Sequence, residues 1–149
     1  ARVPDRIERL VYLDAFVPEV GRSLLSYLPP ERAEAFRAAA TTEGDGWRIP
    51  ALPPPRFGVT SARDTAWLLR HLVPQPLKTM EQPLPAAAPA KIARTYVYCS
   101  SPAIGTFDQF AERLREERAW RFHDVKTGHD AMVTAPGEIA KILMSERKG

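Results

Sequence analysis

Residues 94–130 read RTYVYCSSPAIGTFDQFAERLREERAWRFHDVKTGHD, and this stretch decides the fold class of the chain. Its two ends, residues 94–99 and 120–125, are rich in the β-branched and aromatic side chains that favour strands. The residues between them predict a helix, because apolar side chains recur at helical spacing at Phe107, Phe110, Ala111 and Leu114. A strand, a helix and a second strand in this order are typical of a right-handed βαβ unit in an α/β protein.

The sequence on either side extends this pattern. Residues 7–17 read IERLVYLDAFV. Within them residues 10–16 are nearly continuously apolar, and Pro18 and Gly21 end the stretch, so it predicts a strand buried on both faces of a parallel sheet. After the loop at residues 126–130, Pro136 suits the first turn of a last helix. The predicted buried stripe of that helix consists of Ile139, Ile142 and Leu143.

Prolines interrupt the middle of the chain. Eleven of the 15 prolines lie between residues 29 and 89, and proline breaks long helices and strands. We expect two short helices there, one over residues 30–40 and one that a capping box at Ser61 and Asp64 opens. Residues 53–55 predict a loop or polyproline. The chain therefore divides into three predicted segments: a core strand and turn at 1–21, a helical lid at 22–90, and the C-terminal core at 91–149.

The composition excludes several classes of function. The 21 Lys+Arg and 18 Asp+Glu give a formal net charge of only +3, and no basic run is longer than Arg147–Lys148, so we expect no nucleic-acid partner. The single cysteine, Cys99, excludes an intrachain disulfide and a multi-cysteine zinc site. No apolar run approaches the ~18 residues of a membrane span, and residues 1–5 lack a secretory apolar stretch. We therefore expect a cytoplasmic protein without a membrane partner.

His129 is the first candidate for chemistry. It follows a predicted strand, and ligands of open α/β sheets bind beyond the carboxyl ends of the strands. A histidine there can act as a general base, since its ordinary pKa is near ~6.5. The alternative is that residues 128–130 are only a turn whose histidine bonds locally. For His71, in a predicted helix, and His123, in a predicted strand, we expect structural roles.

Asp14 is the second candidate, because it stands near the carboxyl end of an otherwise apolar strand. A buried carboxylate costs several kcal/mol unless it is paired. Its partner could be a histidine or the backbone N–H groups of the turn at residues 17–21. Cys99, by contrast, ends a buried strand, and we interpret it as a small core residue rather than a nucleophile.

Four stretches carry a recognisable pattern: LVYLDAFVP at residues 10–18, GDGW at 44–47, PQPL at 74–77 and TGHDAM at 127–132. Together they resemble the α/β-hydrolase fold superfamily, and within it the small esterase and hydroxynitrile-lyase branch. The resemblance covers essentially the whole chain. It implies the C-terminal part of a hydrolase parallel sheet with a helical, proline-rich lid, and it maps the catalytic histidine of the family onto His129.

The resemblance also implies a triad in the order serine, acid, histidine, with the serine in a G-x-S-x-G turn. No such pentapeptide occurs in the chain, so we expect the nucleophile and the oxyanion hole in a missing N-terminal segment. At the commonest position of the acid, the loop after residues 96–99, no carboxylate occurs before Asp108. Asp14 matches the place after the sixth strand where some relatives carry the acid, so we prefer Asp14 and keep Asp108 as the alternative.

The sequence thus predicts a serine-type carboxylic ester hydrolase that acts on a small apolar ester without a metal or an organic cofactor. The predicted substrate pocket is lined by lid side chains, namely Trp47, Phe57, Trp67 and Met80. One alternative is a hydroxynitrile lyase-like C–C lyase on the same fold. Another is an inert fragment that associates with the N-terminal half of the same protein or with a second copy.

Overall fold

A computed structural model describes residues 3–146. The first and last residues of the predicted segments 1–21 and 91–149, including the basic pair Arg147–Lys148, therefore lie outside the described residues. The strands are β1 (Arg9–Leu13), β2 (Arg48–Ile49), β3 (Gln75–Pro76), β4 (Ala93–Cys99) and β5 (Trp120–Val125). The α-helices are α1 (Pro30–Glu43), α2 (Ala62–Leu69), α3 (Leu77–Glu81), α4 (Asp108–Glu116), α5 (Ala131–Thr134) and α6 (Pro136–Ser145).

Contacts divide the chain into two units. The first comprises Ala1–Val17, Pro54–Thr65 and Ala88–Gly149, and the second comprises Pro18–Pro53 and Ala66–Ala87. This division differs from the predicted lid at 22–90, because residues 54–65 pack within the first unit. There Pro54–Phe57 form a 3-10 turn instead of polyproline, and Val59 is completely buried.

The first unit contains a parallel three-stranded sheet in the order β1-β4-β5. In register, Leu13 of β1 faces Val97 of β4, which in turn faces His123 of β5. Side chains on successive residues point to opposite faces of a sheet. One face packs against α5 and α6 through Val97, Cys99, Val125, Ala131 and Ile139. This parallel sheet with helices confirms the α/β fold class.

The other face of the sheet packs against α4. The apolar stripe predicted for this helix is confirmed, since Phe110, Ala111 and Leu114 are buried. Phe16 packs edge-on against both Phe107 and Phe110, with ring centroids 5.1 and 5.9 Å apart. This aromatic cluster holds the start of α4 near the carboxyl ends of β1 and β4.

β1 is shorter and less buried than the sequence predicts. All five of its residues are half-buried, so the expectation of a strand buried on both faces is wrong for the described residues. Within residues 3–146, β1 pairs only with β4 and lies at the edge of the sheet. The strand ends at Leu13 because Asp14 has a φ of 40°, outside the β region.

The end of α6 is fixed by a buried carboxylate. Glu146 accepts hydrogen bonds from the Thr95 hydroxyl at 2.7 Å and from His123 Nε2 at 3.0 Å, and its Oε2 lies 3.1 Å from Arg9 Nε. Arg121 approaches the same oxygen at 3.4 Å. Burial would raise the pKa of Glu146, but these hydrogen bonds and the two guanidinium charges together lower it. His123 therefore has the structural role that we expected.

The stripe predicted for α6 is only partly buried. Ile139 is buried and Ile142 half-buried, but Leu143 is 45% exposed. The prediction for Leu143 is wrong, because its side chain lines an open cavity of about 350 Å³ beside the start of β1 instead of the core.

The second unit is helical with a short antiparallel ladder. The pattern of α1 predicts that Ala33, Phe36 and Ala40 face inward; Ala33 and Ala40 are buried, and Phe36 is half-buried. An ion pair between Arg37 and Glu81, with 2.9 Å between Nε and Oε1, joins α1 to α3. The ladder between β2 and β3 is only two residues long, and the sequence analysis did not predict it.

Candidate active site

Asp14 lies directly after β1 with its side chain turned into the core. Its backbone N–H still donates to the Val97 carbonyl at 2.7 Å, as a continuing strand would. Its φ of 40° then turns the chain away, and aspartate tolerates this left-handed region better than most residues. The side chain is 2% exposed, and its Oδ1 accepts the Cys99 N–H at 3.1 Å. The carboxylate is therefore held by two adjacent strand ends.

The second oxygen of this carboxylate meets the His129 ring. Asp14 Oδ2 lies 2.9 Å from His129 Nδ1, although 115 residues separate the two in the chain. The expected contact between Asp14 and His129 is thus present. A carboxylate can only accept, so the imidazole carries its proton on Nδ1 and leaves Nε2 as its second functional atom. Within residues 3–146, Nε2 has no hydrogen-bond partner.

Two aromatic rings flank the imidazole. Phe107 stacks on His129 with centroids 5.1 Å apart and planes 15° apart. Phe57 approaches at 5.4 Å with planes 41° apart. The sequence predicts Phe107 only as part of a helix face and does not reveal this contact, because no local pattern indicates which ring packs on which.

Asp108, the alternative acid, does not contact His129. Its Oδ1 accepts the Tyr98 hydroxyl at 2.7 Å, at the start of α4. Burial and this hydrogen bond raise the pKa of Tyr98, so the phenol stays a proton donor. Asp108 is therefore engaged in joining α4 to β4, and the structure places Asp14 at the histidine instead.

Asp130 follows His129 and precedes α5. Burial raises the pKa of its carboxyl group, and this effect outweighs the opposite influence of a charged His129. Its backbone N–H donates to the Phe57 carbonyl at 3.2 Å. The residue therefore helps to hold the loop, and the carboxylate that bonds the ring belongs to Asp14.

Cys99 has the environment of a core residue. It is completely buried, and burial together with the nearby Asp14 charge raises the pKa of its thiol to about 12. A nucleophilic cysteine needs its thiolate form at working pH. This thiol is accordingly unsuited to the nucleophile role.

The predicted pocket residues fall into both units. Phe57 lies in the first unit beside His129. In the second unit, Trp47 is 55% exposed, Trp67 is 46% exposed and stacked on His71, and Met80 is half-buried in α3. A substrate-binding role for these four side chains stays a prediction.

In the part of the chain that the structure describes, no group of three or more His, Cys, Asp or Glu side chains is placed to hold a metal ion. Likewise, no helix between residues 3 and 146 is both long and apolar enough to cross a membrane.

Comparison with known proteins gives matches to a curated esterase and to solved structures, while no protein-family model matches the chain. The chain is 36% identical, over 152 residues, to the carbendazim hydrolyzing esterase of Nocardioides sp. (strain SG-4G), and the match covers 95% of this chain and 62% of the esterase. A solved extracellular α/β-hydrolase from a Paenibacillus species, described as sharing structural and functional homology with tobacco salicylic acid binding protein 2, superposes with a TM-score of 0.78. That match has 24% identity and covers 97% of this chain and 63% of the other.

The chain thus spans slightly less than two thirds of the length of these relatives. The finer placement in the esterase and hydroxynitrile-lyase branch, the lid and the cytoplasmic location stay predictions. The fold, however, is established: the parallel sheet, the helices on both of its faces and a superposition over nearly the whole chain identify a fragment of the α/β-hydrolase fold.

Proposed function

We propose that this chain supplies the base and its supporting carboxylate to a serine-type carboxylic ester hydrolase. The observation that carries the proposal is the 2.9 Å contact between His129 Nδ1 and the buried Asp14 carboxylate. Burying a carboxylate is costly unless it is paired. A buried carboxylate paired with a histidine from a distant part of the chain is therefore a mark of a functional site. The 36% identity to an esterase supports the same class of reaction.

The geometry gives each atom of the pair a role. Asp14 keeps the ring proton on Nδ1, so that Nε2 of His129 can accept a proton from a serine hydroxyl. The negative charge of Asp14 then stabilises the imidazolium that forms. The serine oxygen attacks the ester carbonyl, and the alcohol leaves with the proton from Nε2. Water, deprotonated by Nε2, releases the acyl group and regenerates the serine.

The serine and the oxyanion hole are proposed to lie in residues of the same protein that precede Ala1. No G-x-S-x-G turn occurs in the chain, whereas α/β-hydrolases carry their serine N-terminal to the acid and the histidine. The greater length of both relatives supports the proposal. The substrate is proposed to be a small apolar ester. We choose carbendazim as a test compound besides simple esters, because the Nocardioides relative is named for its hydrolysis.

The edge of β1 supports association with that N-terminal part. Among the described strands β1 pairs only with β4, and its other edge presents unpaired backbone N–H and C=O groups. A parallel strand of the serine-bearing half would satisfy these groups. A second copy of the chain is the alternative partner. Size-exclusion chromatography of the chain with and without the upstream residues separates the two: a self-dimer that persists in the longer form contradicts the pairing proposed here.

The test is p-nitrophenyl acetate and carbendazim hydrolysis by the chain extended by the residues that precede Ala1 in its reading frame. We expect a burst of p-nitrophenol, and we expect His129→Ala to lower kcat by about 10⁶-fold, the effect of removing the histidine from a serine hydrolase triad. His71→Ala is the matched control, because His71 is exposed and its side chain bonds to the carbonyl and stacks on the ring of one helix neighbour, Trp67. It should leave kcat within twofold.

Turnover in His129→Ala equal to that of the parent would reject the role of this histidine. Cyanohydrin cleavage that depends on His129, without ester hydrolysis, would favour the lyase instead.

A further inference from the structure

The turn at residues 54–58 contacts the loop that carries His129. The Phe57 carbonyl accepts the Asp130 N–H at 3.2 Å, one residue beyond the histidine. The Phe57 ring lies 5.4 Å from the imidazole. The turn therefore touches both the backbone and the ring of the candidate base.

The closest approach is between two glycines. A Cβ atom added to Gly58 would lie 2.7 Å from the Gly128 Cα, and one added to Gly128 would lie 2.7 Å from the Gly58 Cα and 2.8 Å from the Phe57 carbonyl oxygen. Ordinary contact begins at 3.4 Å, so either side chain would force the two backbones apart by about 0.7 Å. Gly58 also has a φ of 85°, which favours glycine. No residue larger than glycine preserves this contact.

The turn itself is rigidly built. Gly58 N–H donates to the Pro55 carbonyl at 3.1 Å, and Val59 N–H donates to the Pro54 carbonyl at 3.2 Å. Pro54 and Val59 are buried, and proline restricts the backbone on either side of its ring. The turn can therefore resist displacement of the His129 loop that contacts it.

A second ring, Phe107, stacks on the imidazole, and Phe107 is itself 5% exposed and packs against Phe16. The ring of His129 is thus held by contacts with the Phe107 and Phe57 rings and by the hydrogen bond of Nδ1 to Asp14. These three contacts restrict both its translation and its rotation. Within residues 3–146, Nε2 of His129 makes no hydrogen bond.

We propose that the turn at residues 54–58 is a positioning element for the base, and that the Gly58–Gly128 contact sets where the His129 ring stands. In this proposal Phe57 packs against the imidazole and fixes its position, and it does not line the substrate pocket. The inference rests on the proposed ester hydrolase function, because only there does the position of Nε2 control a rate. Misplacing a reacting group by about 1 Å can cost about 100-fold in rate.

Two pairs of variants separate the contact from backbone strain. Gly58→Ala adds a Cβ at positive φ and a clash, whereas Gly21→Ala adds a Cβ at a φ of 80° with nothing within 4 Å. Gly128→Ala adds a clash without a positive φ, whereas Gly137→Ala meets open space. We expect Gly58→Ala and Gly128→Ala to lower kcat for p-nitrophenyl acetate by 10- to 100-fold with KM within twofold, and both controls to stay within twofold of the parent.

A second readout does not need activity. The His129 Nδ1–H bonded to a buried carboxylate should give a downfield proton NMR signal in the 149-residue chain. We expect that signal to shift or broaden in Gly58→Ala and Gly128→Ala and to persist in the controls. If the signal behaves so while the extended protein hydrolyses no ester, the proposed function fails and the positioning contact stands.

Two results overturn the inference. One is a kcat and a proton signal in Gly58→Ala that match those of Gly21→Ala. Should the glycine variants not fold, Phe57→Leu replaces them: it should lower kcat and move the His129 ring-proton resonances, and Phe57→Tyr should restore both. Equal behaviour of Phe57→Leu and the parent is the second overturning result.

Discussion

Replacing Asp14 by asparagine should separate the chemistry of the site from its stability. Asparagine keeps the volume of the side chain and tolerates the φ of 40°. Its amide oxygen can still accept the Cys99 N–H. Its NH₂ group then faces His129 Nδ1, which must offer a lone pair, so the ring proton moves to Nε2. With Nε2 protonated, the base is lost.

The two expected magnitudes differ widely. Exchanging a charge-assisted hydrogen bond for a neutral one should lower the free energy of unfolding by about 1 kcal/mol. The same change should lower kcat by about 10⁴-fold, as in triads whose histidine is held in the wrong tautomer. Asp14→Ala should instead cost about 2–5 kcal/mol, because it leaves the buried Cys99 N–H unsatisfied and places alanine at positive φ.

The assay combines urea unfolding with ester hydrolysis by the extended protein. Asp108→Asn is the control, because it perturbs the hydrogen bond to Tyr98 and does not touch His129. It should leave kcat within about threefold. The reasoning is refuted if Asp14→Asn keeps a rate within tenfold of the parent, or if Asp14→Asn is as destabilised as Asp14→Ala.

Two further predictions concern stability and reactivity. Glu146→Gln should lower the free energy of unfolding by about 3 kcal/mol at neutral pH, because it leaves the Arg9 guanidinium without its carboxylate. Since the folded pKa of Glu146 is lowered, the stabilisation is present above the ordinary carboxyl pKa and is lost as the pH falls through the lowered value. Urea titrations across acidic pH should therefore show a smaller acid effect in Glu146→Gln, and equal pH profiles would contradict this. Cys99 should react with a thiol reagent at pH 8 only on unfolding, since its thiol is buried with a pKa of about 12; rapid labelling of the native chain would disprove its burial.

Much of the fold could be read from local patterns. The strand predicted at residues 120–125 is observed as β5 with the same bounds, and the stripe of α4 is buried as predicted. The serine half of the capping box is present too, because Ser61 Oγ accepts the Asp64 N–H at 3.1 Å at the start of α2, while the Asp64 carboxylate accepts from the Ser61 hydroxyl at 2.9 Å. Such features depend on contacts within one or two turns of chain, so composition and periodicity report them.

Other features depended on which distant segments meet. Periodicity does not reveal that β1 lies at a sheet edge among the described strands, that Leu143 faces outward, or that residues 54–65 pack with the sheet unit. Each of these follows from the order of elements in space. The prediction for Leu143 failed because helical spacing identifies a stripe but not how much of it the sheet covers.

The sequence by itself determined the α/β class and singled out His129 and Asp14, because a polar residue next to an apolar strand can be recognised from the order of residues alone. Only the tertiary structure decided that Asp14 rather than Asp108 meets the imidazole, and that Phe57, Phe107 and the glycine pair surround it. The physical reason is distance along the chain. A hydrogen bond spanning 115 residues is set by the register of β1 on β4 and by the loop after β5, which no local pattern encodes.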